Sequence, residues 1–407
     1  MTRIKARHAA AASLPAMTTT TAARRAYDGP ALFSFGFRPF FLFGAIWSAL
    51  VVPLWLYSYF HGGSAALTRD WHVHEMIFGF LGAVVAGFLT TAVPNWTGRM
   101  PVIGGPLGFL VSLWVLGRVA MLSEAALGPV GAVADCAFLV VFAAVIWREV
   151  LAGRNWRNLP VCGLVTIFAL ANVMFHLPGV VPAEVAVRLA LGAACVLISL
   201  IGGRLVPSFT RNWMKTRSLK PEPALFGHVD RCALGLTGIG AGLWVVAPQA
   251  QATGLVLALA GVAQLVRLAR WRGWRTAREP LVWILHLGYG WLGVALLLLG
   301  ATVLDPGRVP RTAGIHALTA GAVGVMTLAV MTRATRGHTG RPLVAGASTT
   351  AIYLLINAAA LMRVAAPFAG ASQPGLLIAS GLVWSLAFGG FAVVYSRMLA
   401  MPRPAAA

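Results

Sequence analysis

The stretch WHVHEMIFGFLGAVVAGFLTTAV, residues 71–93, opens on His72, His74 and Glu75 and then runs from Ile77 to Val93 without a charged side chain. Wound as an α-helix, a run of this length crosses about 30 Å of hydrocarbon. Ionisable groups at the margin of such a run are costly in lipid unless they meet a partner such as a counter-ion, a proton path or a metal. The stretch therefore points to the fold class and to the first place to look for chemistry.

The rest of the chain extends the pattern. Of its 407 residues, 58% are hydrophobic and 11% charged, with mean hydropathy +0.79, which excludes an ordinary soluble domain. Short alternating segments of the kind that build a membrane β-barrel are not the pattern. Apolar runs between Arg, Pro and Gly punctuation predict an all-α polytopic membrane protein, a bundle of about twelve transmembrane helices. The spans fall near 38–60, 72–93, 104–122, 128–148, 159–178, 184–206, 226–247, 251–269, 280–302, 311–332, 342–364 and 375–398. They form one domain, 38–400, between a basic tail, 1–37, and a short C-terminal tail, 401–407. An even number puts both termini on one side.

The net charge of +21 is distributed as a topology signal. With the N-terminal tail in the cytoplasm, roughly 26 of the 32 Lys and Arg lie on cytoplasmic connections or the helix ends beside them, and about six lie outside. Arg204, Arg211, Lys215, Arg217 and Lys220 follow the sixth span, and Arg267, Arg270, Arg272, Arg275 and Arg278 surround the end of the eighth. The opposite side has short links with Arg69, Arg308 and few others. The expected partner is a lipid bilayer, not nucleic acid, and both termini are expected to be cytoplasmic. The tail is acid-free before Asp28 and has a transit-peptide-like composition, and Arg24-Arg25 resembles a twin-arginine signal. No suitable apolar core with a cleavage site follows that pair, so a disordered basic tail is the reading adopted. Cys136, Cys162, Cys195 and Cys232 are scattered singly and suggest neither a disulfide framework nor covalent haem attachment.

Nine histidines are few enough to place one by one. His72 and His74 start the second span, His176 ends the fifth and His316 lies about one turn into the tenth. All four therefore sit within roughly 8 Å of the outer boundary, taking the 1.5 Å helical rise. Residues two apart on a helix point about 200° from each other, so His72 and His74 share one ion only if His72 belongs to an extended lead-in. On a continuous helix they serve different partners, for instance a haem iron and a copper ion. Met76 offers a soft thioether, and Glu75 is suited to orienting a ligand or passing protons, the catalytic role assigned to it. Asn172 lies one turn before His176 and within its reach.

The face beside His316 is small, with Ala317, Ala320, Gly321 and Gly324, and suits either a flat macrocycle or another helix. A second cluster lies on the cytoplasmic side, with Arg204 and Arg211 after the sixth span, His286 in the ninth, and His338 and Arg341 after the tenth. Arginine forks beside glycine-exposed amides bind carboxylates or phosphates, haem propionates among them. Arg204, Arg211, Asn172, His286, His338 and Arg341 are thus candidate cofactor-binding residues, with the two histidines as reserve ligands. Anionic lipid alone would also account for the basic loops.

Several long phrases resemble the NnrS family: Gly36-Phe37-Arg38-Pro39-Phe40-Phe41, Trp71-His72-x-His74-Glu75-Met76-x-Phe78-Gly79-Phe80, residues 87–98, Gly202-Gly203-Arg204-x-x-Pro207-Ser208-Phe209-Thr210, and Gly337-His338-Thr339-Gly340-Arg341-Pro342. They occur in the family's order across about residues 33 to 403. The resemblance implies a bacterial inner-membrane protein of about twelve helices that contains haem and copper. It further implies a link to denitrification and protection against nitrosative stress through limiting iron nitrosyl formation, with no established nitric oxide reductase reaction. The expected small ligand is nitric oxide or a related nitrogen oxide, and redox chemistry on it is the open enzymatic question. His72, His74 and His316 are the expected metal ligands, with His176 and Met76 next. Two other classes fit the same outline: a proton-coupled secondary transporter, although no convincing repeat links the two halves, and a metal-binding membrane sensor or assembly factor without turnover.

Overall fold

The computed structural model describes residues 27–64 and 66–403, so most of the expected basic tail and the last residues of the C-terminal tail lie outside the described residues. Among the described residues there is no strand, and twelve helices are long and apolar enough to cross a membrane. They are α1 (Phe37–Phe60), α2 (Arg69–Thr97), α3 (Gly104–Leu122), α4 (Pro129–Ala152), α5 (Trp156–Phe175), α6 (Ala183–Lys215), α7 (His228–Val246), α8 (Gln251–Ala269), α9 (Pro280–Leu304), α10 (Arg311–His338), α11 (Ala347–Phe368) and α12 (Gly370–Ala400). Both ends of the bundle's chain lie at one end, called here the terminal end; the other is the distal end.

Three helices run through the middle. The apolar windows of α2, α6 and α10 are 78%, 61% and 78% buried, against 33–44% for the other nine, whose outer faces carry exposed residues such as Leu50, Val133 and Val393. Around them the rim closes, with α4 packing on α5, α8 on α9, and α12 back on α1. Each successive group of four helices thus contributes one inner and three outer members.

The inner helices repeat in register. Leu81, Ala194 and Val323 face one axial chamber, as do Val84, Leu197 and Met326, then Val85, Ile198 and Thr327, then Phe88, Ile201 and Val330. The same register aligns Gly79 with Gly192 and Gly321, and Val93-Pro94 with Val206-Pro207. It also aligns Thr97 with Thr210 and Thr339, each of which donates its hydroxyl to the carbonyl one turn back, at 3.0, 2.8 and 2.6 Å. In α2 and α10, Thr-Gly-Arg closes the helix on Gly98 and Gly340, both with left-handed φ of 71° and 74°. The chain repeats by thirds, which is why a comparison of halves finds nothing.

Helix bounds agree with the hydropathy reading to a few residues except in this inner set. α2, α6 and α10 continue to Thr97, Lys215 and His338, past the apolar runs that ended near 93, 206 and 332. Their terminal turns are polar, which lowers the local hydropathy without breaking the backbone's own i→i−4 hydrogen bonds.

Candidate metal centre

The lead into α2 is capped by Thr68, whose hydroxyl accepts from the Trp71 amide at 3.1 Å, so the helix begins before His72 and is continuous through His74. The two imidazoles therefore point to opposite sides. Directly after His74 the helix widens into a π-helical segment, Glu75–Leu81, and α10 does the same after His316, over Ala317–Val323. Such widening leaves carbonyls and side chains displaced from the regular ladder and is frequent at functional sites. Here the Gly79 carbonyl accepts from the Trp114 indole at 2.9 Å.

His74 and Glu75 lie at the centre of a buried network, both fully shielded from solvent. His74 Nδ1 is 3.0 Å from Glu75 Oε1, and its Nε2 is 3.0 Å from Asp135 Oδ2 on α4 and from Asn172 Oδ1 on α5. His176 Nε2 reaches the same Asp135 oxygen at 3.0 Å, and the Asn172 amide donates to it at 2.9 Å. Arg118 of α3 bridges the two acids, donating to Glu75 Oε2 at 3.0 Å and to Asp135 Oδ1. The Trp47 indole of α1 supplies a second donor to Glu75 Oε2 at 2.6 Å. Glycines make the room. A Cβ on Gly79 would collide with the Arg118 guanidinium and lie 2.7 Å from Glu75 Oε2, and one on Gly117 would lie 2.8 Å from Asp135 Oδ1.

Donor atoms of His74, Asp135 and His176 all lie within 4.8 Å of one another, close enough to hold one ion. Two imidazoles and a carboxylate suit a borderline divalent metal such as copper or zinc. Binding requires His74 and His176 to present Nε2 lone pairs, so the ion displaces protons from the space these rings share with Asp135. Glu75, on His74 Nδ1, then occupies the outer position that fixes ring orientation and basicity in carboxylate–histidine–metal units. The donor set therefore fits a copper ion.

His316 stands apart from this group although it occupies the position in α10 that His74 holds in α2. Its Nδ1 is 2.7 Å from the Thr312 carbonyl. A carbonyl only accepts, so Nδ1 carries a proton, which leaves Nε2 as the nitrogen that could offer a lone pair to a metal. His72 is its electrostatic neighbour, as is Arg363 of α11. The His72 ring stacks on Trp55 with centroids 4.2 Å apart, and its buried Nδ1 has no hydrogen-bond partner among the described residues. Two imidazoles with an arginine nearby match, by donor type, what the iron and a carboxylate of a haem would need.

The remaining candidates fall elsewhere. Met76 packs with Val51, Trp71 and Met121, an apolar environment. The small stripe beside His316 is helix packing: a Cβ on Gly321 would meet the Trp291 indole at 2.5 Å, and one on Gly324 the Trp384 ring at 2.6 Å, leaving no room there for a macrocycle. At the terminal end, Arg204 donates to Asn158 at 2.9 Å, and Arg211 pairs with Glu222 at 3.3 Å. His286 Nε2 meets the Thr210 hydroxyl at 2.8 Å. His338 lies against Phe37, with ring centroids 5.5 Å apart, and Arg341 Nη1 is buried without a hydrogen-bond partner among the described residues. These residues do not converge with the distal histidines. Conversely, Asp135 and Arg118 belong to the centre and were not among the expected site residues. The available signal was one acid and one arginine in adjacent apolar spans, each too costly to be left unpaired.

Nothing among the curated proteins matches this chain. The family model described as NnrS protein matches residues 31–403, nearly the full length, and the chain belongs to the NnrS family.

Proposed function

We propose that this protein is a bacterial inner-membrane protein of the nitric oxide response, protecting against nitrosative stress with two metal groups near the periplasmic face. Copper would be held by His74, Asp135 and His176, and haem by His316 and His72, with Arg363 available to a haem carboxylate. The observation that carries the reading is the meeting of two imidazoles and a carboxylate from α2, α4 and the end of α5 within 4.8 Å, in a bundle from a family linked to nitric oxide. Bound, the two groups supply iron and copper centres that take a diatomic ligand and change oxidation state.

The chain's own part is positional. Glu75 orients His74, and Arg118 and Trp47 hold Glu75. Phe78 lies 5.1 Å from the His74 ring and 5.4 Å from Phe168, which also lines the axial chamber. That chamber, about 90 Å³, has apolar walls except for Thr327, whose hydroxyl is spent on the Gly324 carbonyl at 2.9 Å. A space of this kind stays dry and accepts small apolar molecules. Nitric oxide arriving through lipid thus has a waiting place two phenyl rings, Phe168 and Phe78, from His74. The same walls offer no polar route along the axis for the substrate of a proton-coupled carrier.

Metal analysis with optical spectroscopy on purified wild type tests the reading. A haem spectrum that shifts on adding nitric oxide, with copper present, is expected; a colourless, copper-free preparation overturns it.

A further inference from the structure

Four of the five motif phrases meet far from the distal histidines. At the terminal end, a cavity of about 340 Å³ opens between the inner helices, lined by Phe37 and Phe41 of the first phrase, Asn95 and Trp96 of the third, Phe209 of the fourth and His338 of the last. Trp96, Phe209 and His338 are equivalent positions of α2, α6 and α10, so the cavity lies on the axis of the repeat. Phe88, Leu205 and Val330 form walls both here and in the apolar chamber beyond.

The walls state what fits. Aromatic faces on several sides favour a flat conjugated ring, for which stacking adds to simple burial. One cation, Arg333, lies over the Phe209 ring at 4.0 Å and donates no hydrogen bond among the described residues. Its electrostatic partner Glu279 lies outside the lining and already accepts from the Leu281 and Ala345 amides, both at 3.1 Å. Among the described residues, no Asp or Glu lines the cavity. A guanidinium with unused donors in an acid-free aromatic cavity calls for an acceptor oxygen on the ligand, and the Asn95 amide adds a second polar contact.

We propose that this cavity binds the headgroup of a lipid quinone: a flat, uncharged ring system with carbonyl oxygens, supplied from the bilayer at the level where these helices end. Ring stacking places the headgroup among Phe37, Phe41, Trp96 and Phe209, and Arg333 donates to one carbonyl.

The test uses the detergent-solubilised full chain and decylubiquinone, with bound quinone measured by equilibrium dialysis. Wild type should bind saturably. Arg333→Met should weaken binding about tenfold, the loss of one charge-assisted hydrogen bond. Ala334→Trp, which fills the cavity, should abolish saturable binding, and Asn95→Leu provides a milder probe should Arg333→Met not fold. His74→Ala should bind quinone as wild type does whatever its metal content, so this inference and the metal assignment fail separately. Absence of saturable binding in wild type overturns the proposal, as does wild-type affinity in folded Arg333→Met and Ala334→Trp. A fall in haem content in Arg333→Met without saturable quinone binding in wild type also overturns it, assigning the cavity to a haem edge.

Discussion

Asp135 joins the two distal histidines through a single oxygen: its Oδ2 lies 3.0 Å from Nε2 of His74 and 3.0 Å from Nε2 of His176. Replacing that carboxylate by its isosteric amide keeps the packing and removes the charge an ion would bind. Asp135→Asn is expected to weaken copper binding by at least about tenfold, measured by competition with a chelator, while the protein remains folded.

The two imidazole sets should separate by spectroscopy. His74→Ala is expected to lose copper and keep the haem absorbance, whereas His316→Ala loses the haem absorbance and keeps copper. Equal loss of both groups in each variant would falsify the division into two sites.

Arg118 sits between two buried acids, and removing it alone leaves Glu75 and Asp135 uncompensated. Arg118→Met is expected to cost about 3 to 5 kcal/mol of stability, measured by chemical denaturation in detergent. The double variant Arg118→Met/Glu75→Gln should recover part of that loss. If the double variant is no more stable than the single one, the guanidinium is not acting as the counter-charge.

Gly79 tests the π-helical segment. The added methyl of Gly79→Ala meets the Arg118 guanidinium and Glu75 Oε2. A destabilisation of about 1 to 3 kcal/mol is expected, together with reduced copper content. Gly163→Ala, where a Cβ meets nothing within 4 Å, is the control and should leave both unchanged.

The axial chamber makes a kinetic prediction. Ala194→Phe places a ring into space bordered by Leu81 and Val323 and should slow nitric oxide association with the reduced protein severalfold in stopped-flow measurements, with metal content unchanged. Unaltered association would remove the chamber from the ligand's route.

Much of this architecture is legible in the residues. Twelve apolar runs give twelve helices because hydrocarbon thickness fixes their length, and each span is separately signalled. The polar ends of α2, α6 and α10 were not legible by hydropathy, since Asn95, Arg204 and Arg333 mark a boundary for a window average while the backbone continues. The opposed directions of His72 and His74 follow from helical geometry once Thr68 is recognised as a cap. Asp135 was harder. Its role depends on α4 lying against α3 and α5, a long-range contact that no local pattern of α4 encodes. The repeat by thirds was present throughout in Gly79, Gly192 and Gly321 and in Thr97, Thr210 and Thr339. It is diluted by the outer helices, where lipid asks only for apolar side chains.

His74 and His316 occupy one position on two copies of the same inner helix, and the third copy has Val187 there. What differs around them comes largely from the rim: Asp135 and Arg118, together with the inner helix's own Glu75, around one ring, and Arg363, together with His72, near the other. On the proposed assignment, metal preference is set mainly from the outer helices, by Asp135 and His176 at one site and Arg363 at the other, so exchanging those residues would retune it while the inner scaffold is left intact.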